Sequence, residues 1–419
     1  MSSTPFGHST GSKPVHVLVV TQYFAPEVGA APTRLAATVA GLQASGHQVT
    51  VLTSLPNHLK GTTFPGYEGK LFHQETIEGV PVLRTWAFPA GGRGGKRLIN
   101  YLSFMTTSAL RGLGLTGVDL IFYESPPLFL GLAVVALKRR LGAPVIMNIS
   151  DLWPDSVPAV APGSVFASGP LMKAGQGLEA FLYGHADLIT AVTPGILERL
   201  SEKGVAKERL AYLPNGFDPD CFQPRSFRER SRQPKVFLAA GSHGYAHGLE
   251  VAVEAAALLR HRDDVQIRLV GDGPTKPELQ ERARALGLST RDIRFDAPVP
   301  LAAMPDLIAE SSAHLITLRD DPFFDRTRPA RLLPSLACGR PVIVSGRGDL
   351  ADEVTAHDCG LVVPPGSPRA LADAIETYAD DARLLRRQGK AAADYAQAEM
   401  AWPVLVARWL ERVESCLGV

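Results

Sequence analysis

Three arginines, Arg326, Arg328 and Arg331, stand close together beside a segment able to start a helix. A guanidinium is a permanently charged, planar set of donors that matches phosphate oxygens, and the first N–H groups of a helix add partial positive charge. The chemistry these residues could do is to hold a phosphorylated ligand or to stabilise a departing phosphate. An apolar run, His314 to Leu318, leads towards them through an acidic loop, Asp320 to Asp325. Leu332, Leu333, Leu336 and Ala337 supply the buried face of a helix expected over Pro329–Cys338, which Gly339 ends. Pro341 to Ser345 then reads as a strand. Strand, loop, helix and strand put the arginines at the carboxyl end of a strand, where open α/β sheets bind ligands. Taken locally, the same residues also fit an arginine-rich surface turn.

Other stretches repeat that layout. Val15 to Val20 is a β-rich run opening into Gly29, Ala30 and Ala31, small residues that bring backbone close to anything above the strand end. Pro32 suits a first helical turn there. Val236 to Ala240 runs into Gly241-Ser242-His243-Gly244, and Gln266 to Val270 into Gly271-Asp272-Gly273. Glycines between strand and helix allow phosphate approach, and equally a tight packing turn. Asp119 to Tyr123 precedes Glu124-Ser125-Pro126-Pro127, and Val145 to Ile149 precedes Ser150-Asp151-Leu152-Trp153-Pro154-Asp155. Right-handed crossovers put all these loops on one sheet edge. Asp151 could serve there in chemistry or as a helix cap, and Trp153 as a ligand contact or a core aromatic. Lys96 and Arg97 open the mostly apolar segment Leu98–Leu110, with Arg93 before it and Arg111 after it. That pattern fits a helix on anionic lipid or a core helix with a solvated start.

The segment from Arg328 to Ile343 resembles the Pro-Ser-Lys-Leu…Ala-Ala-Gly-Lys/Arg-Pro-Val-Ile stretch of family-4 glycosyltransferases, nearest the branch with fucosamine transferases of bacterial surface-polysaccharide assembly. The wording of residues 21–35, Asp151 to Asp155, Pro214-Asn215-Gly216-Phe217-Asp218, Val270 to Gly273 and Ala297 to Pro300 resembles the family in the same order, over roughly Val15 to Ala398. The resemblance implies an α/β GT-B fold: two Rossmann-like doubly wound domains facing a cleft. It implies a retaining, metal-independent enzyme with no cofactor, taking sugar from a UDP- or GDP-type donor to an unknown acceptor. Arg331 and Asp151 then carry the catalytic roles. Gly29, Ala30, Gly241, Ser242, His243, Gly271, Asp272, Gly273, Val299, Arg328, Leu332 and Leu333 bind the donor, while Glu124 and Trp153 face the acceptor. Ala330 and Arg331 stand where the family has Ser and Lys, and the family's Glu pair falls on Arg326 and Pro334. Pro334 accepts no hydrogen bond and should make the helix start later or bend. Glu353, or its neighbour Asp352, is the substitute expected to hold the ribose. The departures also admit an inactive nucleotide-sugar binder, or an epimerase or phosphorylase on the same fold.

The totals agree with a large globular protein. At 419 residues the chain calls for two domains, expected at 15–218 and 235–398, with a disordered tail at 1–14 and a linker at 219–234. A final helix within 399–419 is expected to pack back on the first domain. A charged share of 20% with net charge +1 excludes nucleic-acid binding through a bulk basic surface. Four scattered cysteines, without metal-ligand spacing, predict reduced thiols in a cytoplasmic protein with possible peripheral contact at the inner face of the membrane.

Overall fold

The computed structural model describes residues 14–57, 61–90, 95–160, 169–227 and 234–418. Most of the polar start, residues 58–60, Arg93 and residues 228–233 of the expected linker lie outside the described residues. The chain forms two compact units, Met1–Asn215 with Trp402–Val419, and Gly216–Ala401.

In the first unit the strands are β1 (His16–Val20), β2 (Gln48–Ser54), β3 (Phe72–Ile77), β4 (Val80–Thr85), β5 (Leu120–Ser125), β6 (Val145–Ile149), β7 (Leu188–Ala191) and β8 (Leu210–Tyr212). They line up as β3-β4-β2-β1-β5-β6-β7-β8, all parallel except the β3–β4 pair. Leu18 and Ile121 on one face and Val19 and Phe122 on the other are all buried, as expected where a parallel sheet is covered on both faces. Helices α1 (Ala30–Ala44), α2 (Gly95–Gly112) and α3 (Leu130–Leu141) belong to its cover. The helix Trp402–Leu417 closes the unit: Trp409 donates from Nε1 to Thr190 Oγ1 at 3.1 Å and meets Phe122 edge to face. The β3–β4 hairpin was not legible in the sequence, because the polar β3 has no buried face.

The second unit holds β9 (Lys235–Ala240), β10 (Val265–Val270), β11 (Ile293–Asp296), β12 (Ala313–Thr317), β13 (Val342–Ser345) and β14 (Gly360–Val363), wholly parallel in the order β11-β10-β9-β12-β13-β14. The strand order reverses between β9 and β12, which is where such sheets open a crevice for ligands. The helix expected over Pro329–Cys338 runs instead over Leu332–Ala337, with Arg331 as its N-cap. Pro334 explains the late start: at the third helical position its missing N–H has no intrahelical partner to lose. The shortened helix is what the sequence anticipated from that proline.

Candidate functional site

The loops that follow β9 and β10 are stitched together at the reversal point. Gly241 N–H donates to Val270 O at 2.9 Å and His243 N–H to Asp272 O at 2.8 Å. The approach is too close for side chains. A Cβ on Gly271 would lie 1.8 Å from Gly241 O, and one on Gly273 would lie 2.4 Å from His243 O. Both glycines also hold positive φ, 148° and 156°. Lys276, three residues beyond Gly273, caps the junction by donating to Gly271 O and Asp296 O at 2.7 and 2.8 Å. From the other side of the reversal point, Arg331 Nη2 donates to Ser242 O at 2.8 Å. Burial lowers the Arg331 pKa to about 10, which still leaves it charged at neutral pH.

Three imidazoles lie in this cluster. His314 accepts from Ala240 N–H on Nε2 at 2.9 Å and faces Ser335 Oγ through Nδ1, so it is held neutral between β9 and the helix Leu332–Ala337. His243 is buried and neither ring nitrogen has a hydrogen-bond partner; the same is true of His247 Nδ1. Burial, then Lys276 and Arg331, push His243 down to about 4, with Asp272 opposing. Burial, then Arg331 and His243, push His247 down to about 3.

His314 carries a pH dependence whose sign is fixed. Burial, then Arg331, lowers its pKa from 6.5 to about 3. Its contribution is therefore complete above pH 6.5 and is lost as the pH falls towards 3. At pH 5 the loss is about 2 kcal/mol. Denaturant unfolding at pH 7 and pH 5 should show His314→Gln losing about 2 kcal/mol less between the two than wild type. Equal losses in both proteins would remove His314 as the cause.

Two residues predicted as separate ligands are bound to each other. Arg328, largely buried, donates from Nε and Nη2 to the two oxygens of Glu353 at 2.5 and 2.7 Å, and Tyr395 OH donates to Oε1 at 2.7 Å. Glu353, on the helix Asp349–Ala356, thus enters as the partner that fixes Arg328, its carboxylate already engaged; Asp352 is exposed on the same helix. Leu332 and Leu333 have fully buried side chains, and Leu332 N–H bonds to Pro329 O. Val299 is half-buried in the loop after β11.

In the first unit, Gly29 caps α1 and Ala30 opens it. Glu124, predicted to face an acceptor, is inside the fold. Arg34 donates to one of its oxygens, Asn148 Nδ2 donates to the other at 2.6 Å, and Arg34 Nη1 also reaches Asn215 Oδ1 at 2.7 Å. Asp151 lies in the turn after β6; burial raises its pKa, opposed by hydrogen bonds from Ser156 and from Leu152 N–H. Trp153 is half-buried with its ring 6.2 Å from Phe129. Sequence reasoning missed Lys276, although its place just beyond Gly271-Asp272-Gly273 was a usable signal, and it missed His247 within the glycine-rich loop. Among the described residues no three His, Cys, Asp or Glu side chains gather as a metal site, and no helix is long and apolar enough to cross a membrane.

Residues 29–216 match the glycosyl transferase 4-like domain, and residues 234–381 match glycosyl transferases group 1. WcaI of Escherichia coli (strain K12), a glycosyl transferase assigned to colanic acid biosynthesis, is 25% identical over 91% of this chain and 95% of its own. The sucrose-phosphate synthase from Thermosynechococcus elongatus shares the fold at TM-score 0.76 and 18% identity, covering 96% of this chain and 99% of that one. Anabaena HepE in complex with UDP-glucose does so at 0.69 and 16%, covering 96% and 99%. With two glycosyltransferase domains in tandem on two Rossmann-like units, the chain belongs to the GT-B glycosyltransferase superfamily.

Proposed function

We propose that the protein transfers a sugar from a UDP- or GDP-type nucleoside-diphosphate donor to an acceptor, with retention at the anomeric carbon and without a metal. The second unit holds the donor and the first supplies Asp151 and the acceptor side. The transfer serves polysaccharide or secondary-metabolite biosynthesis. The observation that carries this reading is the collar of Arg331, Lys276, His243 and His247 around two glycine loops. A buried polar group without a partner costs about 1–3 kcal/mol, an expense offset when a ligand engages the imidazoles while the fixed cations face its phosphates.

The chemistry follows from charge. Breaking the anomeric C–O bond leaves its electron pair on the diphosphate, so fixed positive groups at that position lower the barrier. Arg331 fills this role as a desolvated guanidinium. The acceptor oxygen bonds to the anomeric carbon on the face the diphosphate leaves, and its proton passes to the leaving phosphate. Asp151 stabilises the positive charge developing on the sugar. Support comes also from HepE, solved with UDP-glucose, and from WcaI. The test is nucleotide release from a panel of UDP- and GDP-sugars with candidate acceptors in excess chelator, the product's anomeric configuration being read by NMR. Acceptor-dependent release with retention is expected. Inverted product, or activity abolished by chelator and restored by magnesium or manganese, contradicts the reading. Donor binding without turnover on any acceptor would favour a nucleotide-sugar binder, and acceptor-independent change of the donor an epimerase.

A further inference from the structure

Four ionised side chains, Asp155, Glu179, Arg199 and Lys203, crowd beside the turn that carries Asp151, and the transfer chemistry uses none of them. Asp155 places both carboxylate oxygens on cations at the end of the helix Pro194–Glu202. Its Oδ1 lies 3.0 Å from Lys203 Nζ, and its Oδ2 accepts from Arg199 Nε at 3.2 Å. Lys203, which caps this helix, also donates to the two oxygens of Glu179 at 2.8 and 2.6 Å, and Tyr183 OH donates to Glu179 Oε1 at 2.6 Å. Glu179 is buried on the helix Gly169–His185, and the side chains of Asp155 and Lys203 are only 17% and 16% exposed. Well-packed apolar residues of similar volume often serve stability as well as such a cluster or better, so stability alone does not account for it. What the ion pairs add is direction, because each carboxylate oxygen must meet its donor.

That direction reaches Asp151 through a short, tightly bonded turn. Trp153 N–H donates to Asp151 O at 3.1 Å, Ser156 N–H to Leu152 O at 2.7 Å and Val157 N–H to Pro154 O at 3.0 Å. Leu152 is buried in the core, and Gly175 lets the helix Gly169–His185 press on the turn: a Cβ there would lie 3.3 Å from Trp153 Cζ3 and from Pro154 Cγ. Ser156, buried beside Asp155 in the chain, hydrogen-bonds the Asp151 carboxylate. We propose that Asp155 is a positioning residue: gripped by Arg199 and Lys203, it fixes the turn so that Ser156 holds the Asp151 carboxylate where positive charge develops on the sugar. The assignment rests on the transfer reading and on the part of Asp151 in it. Loosening the grip slows the transfer step and leaves donor affinity, which belongs to the second unit, untouched.

The test measures kcat, acceptor KM and the pH dependence of kcat for wild type, Asp155→Asn, Ser156→Ala and Glu179→Gln, with UDP and GDP affinities from titration calorimetry. Asp155→Asn strands no cation, because Lys203 keeps Glu179 and Arg199 keeps Glu202 at 2.9 Å. It is expected to lower kcat about tenfold to a hundredfold, the scale set by a misplacement of about 1 Å, with nucleotide affinity and acceptor KM within about twofold of wild type. The acid limb of its kcat profile should move to higher pH, since a carboxylate that loses a hydrogen-bond donor ionises less readily. Ser156→Ala should move the limb the same way, and it decides the matter where Asp155→Asn fails to fold. Glu179→Gln weakens the same cluster without touching the turn, so it should lower the melting temperature while kcat and the limb stay unchanged. With wild type active, three results each overturn this assignment alone: an Asp155→Asn kcat within about twofold of wild type, an unmoved limb in Ser156→Ala, or equal kcat losses in Asp155→Asn and Glu179→Gln. Absence of turnover by wild type on every donor and acceptor removes the transfer reading, and this assignment with it.

Discussion

Gly271→Ala is expected to lower stability by about 4 kcal/mol or more and to abolish nucleoside-diphosphate binding. The added methyl would stand 1.8 Å from Gly241 O, a main-chain atom that a rotamer change cannot move aside. Positive φ adds strain for any side chain. Relief therefore requires the two loops to part, breaking the Gly241–Val270 and His243–Asp272 bonds and displacing the Ser242 carbonyl that holds Arg331. At about 2–4 °C per kcal/mol, a drop of some 10 °C in the melting temperature of this unit is expected by calorimetry. A variant that melts within a degree or two of wild type would mean that the loops are not joined as described.

The second large effect belongs to the first unit. Arg34→Ala leaves the Glu124 carboxylate buried with Asn148 as its remaining charge-quenching donor, and such an orphaned charge costs about 3–5 kcal/mol. Replacing both members with apolar residues of similar volume, Arg34→Met with Glu124→Leu, should cost less than Arg34→Ala alone, because no charge is stranded. Denaturant unfolding of the three variants checks this ordering. If Arg34→Ala costs under about 1 kcal/mol, the pair is solvated and the buried arrangement is wrong.

What could be read from the sequence was local. The runs before Gly29, Gly241 and Gly271 are strands because each is short and β-rich; Val236 to Ala240 is apolar throughout, as a parallel sheet buried on both faces demands, while Gln266 and Arg268 alternate with the buried Ile267 and Leu269. The glycines between them and the following helices marked the loop edge correctly. What stayed hidden depended on distant partners. Arg328 and Glu353 lie 25 residues apart, and Arg34 and Glu124 lie 90 apart, so nothing in either neighbourhood reveals that their charges are committed to each other. The facing of helix α2 stayed open for a different reason. Its period was legible, but Asn100 and Ser108 are satisfied inside the fold while the leucines face out, and periodicity alone does not say which face is covered.

The central claim is that the Arg331 collar binds the donor diphosphate, and isothermal titration tests it most directly. Wild type and Arg331→Ala are each titrated with UDP, GDP and ADP, after circular dichroism shows that the variant is folded. The account predicts that at least one of UDP and GDP binds wild type and binds Arg331→Ala about 2–3 kcal/mol more weakly, roughly 30- to 150-fold in Kd, as loss of a charge-assisted bond to phosphate should produce. Absence of binding by wild type, or an affinity in Arg331→Ala within a factor of about two of wild type, contradicts it.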